Sequence, residues 1–315
     1  MIKEVEEPIP RICVAVPTYR RPEQLTFLLL ALAKQTFPPK TEITVAIFDN
    51  DQDASAALTV ESFSSDFPVR LLYHHAPDPG LSAVRNAAVA YACEGYDYLA
   101  MIDDDEEPEP QWLSELLAVA SRTDADATFG PVIYLFPDGP AGWLGTGGFF
   151  AVPSPRDGSR VSYGYSGNCF LRTKSLKRFG VAFDRTFNFA GGEDMLFFLQ
   201  LKRYGASMVY AERAIARERV TSDRLCARYV LQLNYRRGNT LALCDAKLHR
   251  GSAWKPIRVF KSFARLARGI ASSIPFTIFR GRVGALTAAC DVAHGLGSLV
   301  GVFGGIYRPY ARIDA

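Results

Sequence analysis

Apolar residues in the first third of the chain come in short unbroken runs, each followed by a stretch of helical periodicity. Arg11-Ile12-Cys13-Val14-Ala15-Val16-Pro17 and Ile43 to Phe48 show no polar alternation. That pattern predicts strands covered on both faces, as in a parallel sheet. Two more strands are predicted at Val69–His74 and Tyr96–Ile102. Residues 23–35 place Leu25, Leu28, Leu29 and Leu32 on one side of a helix, and the two prolines between Thr36 and Lys40 stop it. Further helices are predicted near 54–64, over Leu81 to Ala92 with Ser82 as the cap, and over Trp112 to Ser121. Strand and helix alternate through about residue 122, which predicts an α/β fold: a mostly parallel central sheet with helices on both faces.

In such a sheet, ligands bind beyond the carboxyl ends of the strands. Three polar clusters are predicted there: Thr18 to Arg21 after the first strand, Asp49-Asn50-Asp51 after the second, and Asp103-Asp104-Asp105 after the fourth. They are expected to converge in one cleft. From Thr128 to about Tyr165 the chain is rich in Gly, Pro and aromatics and predicts irregular strands and long loops. Phe170-Leu171-Arg172 reads as a short strand. Gly191-Gly192-Glu193-Asp194 opens a helix through Tyr204, residues 207–219 return to a strand, and the chain is helical from Asp223 onward.

Composition changes this picture little. Of 315 residues, 48% are hydrophobic and 22% charged, the balance of an ordinary folded protein, so disorder is not expected. The net charge of +3 is small, but it is unevenly spread: acids concentrate in the first two-thirds and bases in the last third. The six cysteines form no C-x-x-C pair and have no His at a metal-ligand spacing, so reduced thiols, mostly in the core, are expected. The segment MIKEVEEPIPR is acidic and polar, with no apolar stretch of the secretory-signal kind.

Three adjacent carboxylates at the end of a buried strand repel one another, and burial makes that worse. A divalent cation such as Mg²⁺ or Mn²⁺ would relieve the conflict with oxygen ligands. Strand alternation would aim Asp103 and Asp105 into the cleft together and turn Asp104 away. The competing reading is a solvated acidic turn that includes Glu106, Glu107 and Glu109. Glu193 and Asp194, in the first turn of a helix after two glycines, read either as a ligand-facing pair or as a favourable acidic helix start. Arg85 and the pair Arg236-Arg237 are cationic candidates for phosphate, and each reads equally as a surface arginine. Trp143, Phe149 and Phe150 read as core or pocket wall.

Taken as an ordered set, Val16-Pro17-Thr18-Tyr19-x-Arg21, Asp49-Asn50-Asp51, Gly80-Leu81-Ser82-x-x-Arg85-Asn86, Asp103-x-Asp105, Gly167-Asn168 and Gly191-Gly192-Glu193-Asp194 resemble the family-2 glycosyltransferases, which have the GT-A fold. The resemblance covers roughly residues 11–205. It implies that Pro17, Thr18, Tyr19 and Arg21 line the nucleotide pocket, that Asp49 hydrogen-bonds the base, usually uracil, and that Arg85 lies near the base or diphosphate. It implies Asp105 as the metal ligand and Asp103 as a partner of the ribose or metal shell, with Asp104 in the same nucleotide-side run. Asp194 becomes the catalytic base with Glu193 beside it. Gly167, Asn168, Gly191, Gly192 and Trp143 would shape the donor-sugar and acceptor site, and Arg236 or Arg237 would touch the diphosphate. The chain then divides into a nucleotide-sugar-binding half (1–127), an acceptor-binding and catalytic half of the same domain (128–220) and a helical basic and apolar region (221–315).

The chemistry this implies is an inverting, metal-dependent transfer from a UDP-sugar to a hydroxyl of a glycan acceptor. One departure stands out. The Q-x-x-R-W motif of processive synthases has no match in Gln232-Leu233-Asn234-Tyr235-Arg236-Arg237, which argues against a processive polymerase. Between Lys247 and Arg282 there are nine bases and no acid, interleaved with apolar residues. This predicts basic amphipathic helices on an anionic membrane surface. The stretch 283–307 is about long enough to span a bilayer, but Asp291 and His294 lie inside it, so an interfacial or packed helix is expected. A lipid-linked oligosaccharide acceptor at the cytoplasmic face of the inner membrane fits both features. A soluble helical subdomain is the alternative. No nucleic-acid partner is expected, because no stacking platform or binding motif is present. Two other functions compete. A non-catalytic scaffold would be expected to lose the metal or base acids, and a metal-dependent phosphohydrolase leaves the Asp49 and Pro17–Arg21 pocket unexplained. A dinucleotide oxidoreductase is excluded by a first turn without G-x-G-x-x-G.

Overall fold

The structure is a computed structural model that describes residues 9–136, 142–152, 154–249 and 251–308. The acidic N-terminal segment before residue 9 and Arg250 of the basic region lie outside the described residues. The first elements are β1 (Arg11–Thr18), α1 (Pro22–Ala33), β2 (Glu42–Asp49), α2 (Ala57–Phe63), β3 (Arg70–His75), α3 (Leu81–Gly95), β4 (Tyr98–Ile102), β5 (Glu106–Pro108) and α4 (Trp112–Thr123). There follow β6 (Ala127–Phe129), β7 (Val132–Leu135), α5 (Gly142–Thr146), β8 (Asn168–Arg172), α6 (Thr173–Phe179), α7 (Glu193–Arg203), β9 (Met208–Tyr210), β10 (Ala216–Arg219), α8 (Ala227–Leu248) and α9 (Trp254–Val302). They form two compact units, neither continuous in sequence.

The first unit comprises Met1–Ile133, Pro153–Arg185 and Phe197–Glu218. Among its described residues, seven strands form one sheet in the order β3-β2-β1-β4-β8-β6-β9. β1 pairs in parallel with β2 and β4, and β2 with β3, while β8 runs antiparallel between β4 and β6. The alternation inside β1 explains both layers. Ile12, Val14 and Val16 face the cluster that holds Leu25, Leu28, Leu29 and Leu32 of α1 and Trp112, Leu113 and Leu116 of α4. Cys13 and Ala15 face Val84, Ala88 and Ala92 of α3 and Phe197, Phe198 and Leu201 of α7. The apolar runs are unbroken because each strand needs both faces covered.

The second unit comprises Tyr134–Val152, Thr186–Leu196 and Arg219–Ala315. It cuts across the linear division expected from sequence, because the 134–152 and 186–196 segments pack with the C-terminal helices. Leu144 of α5 shares a core with Val230, Leu286 and Cys290. The long helix α9 breaks at Gly281, whose φ of 55° and ψ of −134° are not helical, and folds back on itself. Gly269 and Gly295 allow the two arms to approach: a Cβ on Gly269 would lie 2.7 Å from the Ala288 carbonyl oxygen, and one on Gly295 would lie 2.9 Å from that of Ser262. The returning arm, 282–302, also lies against α8, where Gly297 and Gly238 permit backbone contact with Tyr235 and His294.

Two local expectations change, and a third is sharpened. Ser82 does not cap α3; Gly80, at φ 106°, holds the cap position, and the buried Ser82 hydroxyl donates to the Asp184 carbonyl. Residues 207–219 make two short strands rather than one, broken by a turn over 212–213. The 283–307 stretch is a packed helix over most of its length, and Asp291 inside it is buried and paired with Arg265 and Arg268.

Candidate active site

The candidate residues fall into two groups, one in each unit. In the first unit they gather at one edge of the sheet, because β1, β2 and β4 run parallel and end together. The Thr18 hydroxyl donates to Asp104 Oδ2 at 2.8 Å. Arg21 bridges two acids, with Nη1 3.1 Å from Asp104 Oδ1 and 2.9 Å from Asp105 Oδ2. Arg85 Nη2, on a buried side chain, lies 3.0 Å from Asp103 Oδ1. Arg20 donates to Asp51 Oδ1 at 3.0 Å and rests over the Tyr19 ring. Pro17 is buried, Tyr19 and Arg21 are half-buried, and Arg20 is exposed.

The three aspartates are not equivalent, and the reason differs from strand alternation. β4 ends at Ile102, so Asp103 to Asp105 form a turn to which the two-residue period does not apply. Asp104 is not turned away; it is the buried member, held by Thr18 and Arg21. Burial pushes its carboxyl up to about 6, an effect that Arg21 and Thr18 partly offset. Asp103 and Asp105 keep more of their side chains open, 37% and 22%. Glu106, which the competing reading puts in a solvated acidic turn, is buried. Burial first, then the charges of Asp103, Asp105 and Glu218, raise its carboxyl well above the usual range. Gly167 explains how the acids fit: a Cβ there would lie 2.6 Å from Glu106 Oε1 and 2.9 Å from Asp103 Oδ2.

Asp49, expected to hydrogen-bond a base, is engaged within the protein in this structure. It has no exposed surface, and its carboxylate accepts from the amides of Asp51 and Ala56 and from the Tyr73 hydroxyl. These bonds fold the 49–56 loop. Asn50, given no role from sequence, donates to the carbonyls of Ala76 and Asp78 and accepts from the Gly80 amide, tying that loop to the turn before α3. Asn168 is likewise enclosed. It accepts from Trp112 Nε1 at 2.8 Å and donates to the Pro131 and Ala214 carbonyls.

In the second unit, Gly191 and Gly192 have φ of 71° and 94°, conformations that favour glycine. A Cβ on Gly192 would lie 2.0 Å from Thr240 Cγ2, and the Thr240 hydroxyl donates to the Gly191 carbonyl. Thr240, on α8, therefore sets the turn from which Glu193 and Asp194 open α7. Sequence reading missed it, because a threonine in a polar helix carries no local signal. Glu193 is buried and Asp194 partly so. Trp143 lies on α5 and meets Phe149 edge-on. Arg236 is half-buried and Arg237 exposed on α8.

Among the described residues, no group of three or more His, Cys, Asp or Glu side chains forms a ready-made metal cage. The chemistry of the set still fits a hard divalent cation. Mg²⁺-type sites take one or two carboxylates and leave the remaining positions to water and phosphate. Asp103 and Asp105 supply two, and with Asp104 they outnumber the arginines paired to them, Arg21 and Arg85.

Residues 13–184 match the model of glycosyl transferase family 2. The succinoglycan biosynthesis protein ExoM of Rhizobium meliloti (strain 1021) is 32% identical over 230 residues, 73% of each chain. Among solved structures, the mannosyltransferase PcManGT from Pyrobaculum calidifontis, in complex with GDP-Man and Mn2+, superposes with a TM-score of 0.62 at 16% identity, covering 92% of this chain and 87% of that one. S. aureus TarS 1-349 in complex with UDP-GlcNAc gives a TM-score of 0.54 at 17% identity, covering 95% and 93%. At those identities the two structures bear on the fold, which is GT-A.

Proposed function

The chain belongs to glycosyl transferase family 2 and is a glycosyltransferase, and from that premise we propose an inverting, metal-dependent transfer of a sugar from a UDP-sugar to a glycan hydroxyl. The acceptor is a lipid-linked oligosaccharide at the cytoplasmic face of the inner membrane, and the product is a bacterial exopolysaccharide or surface glycan. The observation that carries this reading is the edge of the sheet where Asp103 and Asp105 stand beside Arg21 and Arg85. Two carboxylates and two arginines in one place suit a cation and a diphosphate together. The succinoglycan relative supports the polysaccharide setting, and the UDP-GlcNAc complex of a protein of similar fold supports the donor class.

Pro17, Thr18, Tyr19 and the 49–56 loop would line the nucleotide pocket. Asp103 and Asp105 would hold Mn²⁺ or Mg²⁺, which when bound offsets charge on the leaving diphosphate. Arg21 and Arg85 would turn from these acids toward the phosphates. Gly167, Gly191, Gly192 and Trp143 would bound the sugar and acceptor, and Arg236 or Arg237 would reach the diphosphate. Asp194 would take the proton of the acceptor hydroxyl. The acceptor oxygen then bonds to the anomeric carbon as the bond from that carbon to the phosphate oxygen breaks, and the nucleoside diphosphate leaves from the opposite face.

Two variants test this. Asp194→Asn should bind donor normally and lose transfer by about 10³-fold, within the range for removing a general base. Near-normal turnover would remove Asp194 from the mechanism. Asp105→Ala, or EDTA on the wild type, should abolish the thermal stabilisation by UDP-sugars. Stabilisation and turnover that both survive EDTA would sink the metal assignment.

A further inference from the structure

Sequence places basic amphipathic helices between Lys247 and Arg282 on a membrane surface and leaves the apolar 283–307 stretch as either an interfacial or a packed helix. The structure separates the two. The returning arm of α9 is largely enclosed: Gly284, Leu286, Ala288, Cys290, Gly295 and Val302 are all buried. The outgoing arm, 254–280, is not. Ile257, Phe260, Phe263, Ile270, Ile274 and Ile278 are each between 57% and 73% exposed. Steps of three, four and seven residues align them on one helix face. Trp254, Ser262 and Gly269, the buried positions of the same arm, lie on the face turned to the rest of the unit. Twenty-two residues of helix, Ile257 to Ile278, make this stripe about 30 Å long.

We propose that this stripe is a docking surface for an anionic lipid bilayer, with the outgoing arm lying in the plane of the headgroups. The charges choose this occupant. From Lys247 to Cys290 there is no Asp or Glu. The two acids that flank the stretch are already engaged: Asp245 with Arg258, and Asp291 with Arg265 and Arg268. No ion pair among the described residues engages Lys255, Lys261, Arg280 or Arg282. An apolar stripe bordered by unmatched bases is the pattern of an interfacial helix, whose apolar side chains dip below the headgroups while the bases meet lipid phosphates. A second copy of the chain would bring like charges together with no acid opposite, which disfavours self-association through this face. A span is also disfavoured, because the fold at Gly281 returns the chain, and the Asp291 ion pairs bind the two arms together. The inference rests on the proposed function only for its purpose, which is to bring the enzyme to a lipid-carried acceptor.

The test is co-sedimentation of the full chain with phosphatidylglycerol–phosphatidylcholine vesicles, without donor or acceptor, so its outcome is independent of the transfer reaction. Wild type should bind, and should bind phosphatidylcholine vesicles at least about tenfold more weakly. Ile270→Asp with Ile274→Asp should reduce partitioning at least about tenfold. Both positions are exposed, so the unfolding midpoint and transfer to a soluble acceptor should be unchanged. Lys255→Gln with Lys261→Gln should weaken binding about tenfold and lessen its salt dependence. Binding that the stripe variants leave intact, or no vesicle binding at all, would overturn the proposal. So would a wild-type dimer, formed without vesicles, that Ile274→Asp converts to monomer.

Discussion

The strand-end acids of the first unit and the glycine turn of the second show two different devices, one of charge and one of steric contact. Asp103, Asp104 and Asp105 are placed by charge, against Arg21, Arg85 and the Thr18 hydroxyl. Glu193 and Asp194 follow a turn whose backbone is set by contact, because Thr240 permits it only if residue 192 has no Cβ. The two devices suit different tasks. An arginine paired to a carboxylate can exchange it for a phosphate while a cation takes the carboxylate, so the pairs of the first unit can be rearranged by a ligand. A steric contact has no such exchange. It fixes the start of α7 whether or not a ligand is present, which is what a proton acceptor needs in order to act at one position.

The sharpest way to break this contrast is Gly192→Ala. The methyl group meets Thr240 Cγ2 at 2.0 Å, and the backbone is at φ 94°. Strain and overpacking together should cost about 4 kcal/mol, read as a lower urea midpoint. Adding Thr240→Ala should recover the steric part and leave the backbone part. If Gly192→Ala costs less than about 1 kcal/mol, the turn is not built by contact.

The matching change in the first unit is Asn168→Ala. It leaves Trp112 Nε1 and the carbonyls of Pro131 and Ala214 without their partner. Enclosed polar groups left unpaired should cost about 3 kcal/mol. Here the loss should extend to donor affinity, because Gly167 is next in sequence and its lack of a side chain lets Asp103 and Glu106 sit close. Unfolding in urea with and without UDP measures both effects. Unchanged donor stabilisation in a destabilised variant would show that Asn168 supports the fold alone.

Much of the first unit was legible because its signals are local. Unbroken apolar runs announced β1 and β2, and the polar residues following β1, β2 and β4 marked the edge where the candidate residues gather. The roles inside that edge were less legible. Asp49 reads as a free acid in sequence, yet Tyr73 and Ala56, up to 24 residues away, close around it. Glu106 sits in a run of acids and gives no hint that it is enclosed. In the second unit the helices were legible from their apolar spacing. Which face of α9 stays bare was not, because that depends on glycines in two other helical segments, and each glycine alone reads as a weak helix former.

The helical unit carries one further asymmetry with a smaller effect. His294, on the returning arm, is held down to about 4 from an ordinary 6.5, chiefly by burial, then by the charges of Arg265, Arg258 and Arg237, with Asp291 opposing. Between those two values the unfolded chain binds more protons than the native one, so stability rises with pH through that window. Acidification from about 6.5 toward 4 should therefore weaken this unit by about 1 kcal/mol, allowing for solvent screening of a ring that is only partly enclosed. His294→Gln should flatten the pH dependence over this window. A flat wild-type profile would mean that the ring accepts its proton in place, through closer contact with Asp291 than the packed arms provide. An unchanged slope in His294→Gln would move the acid sensitivity to the carboxylates of the first unit.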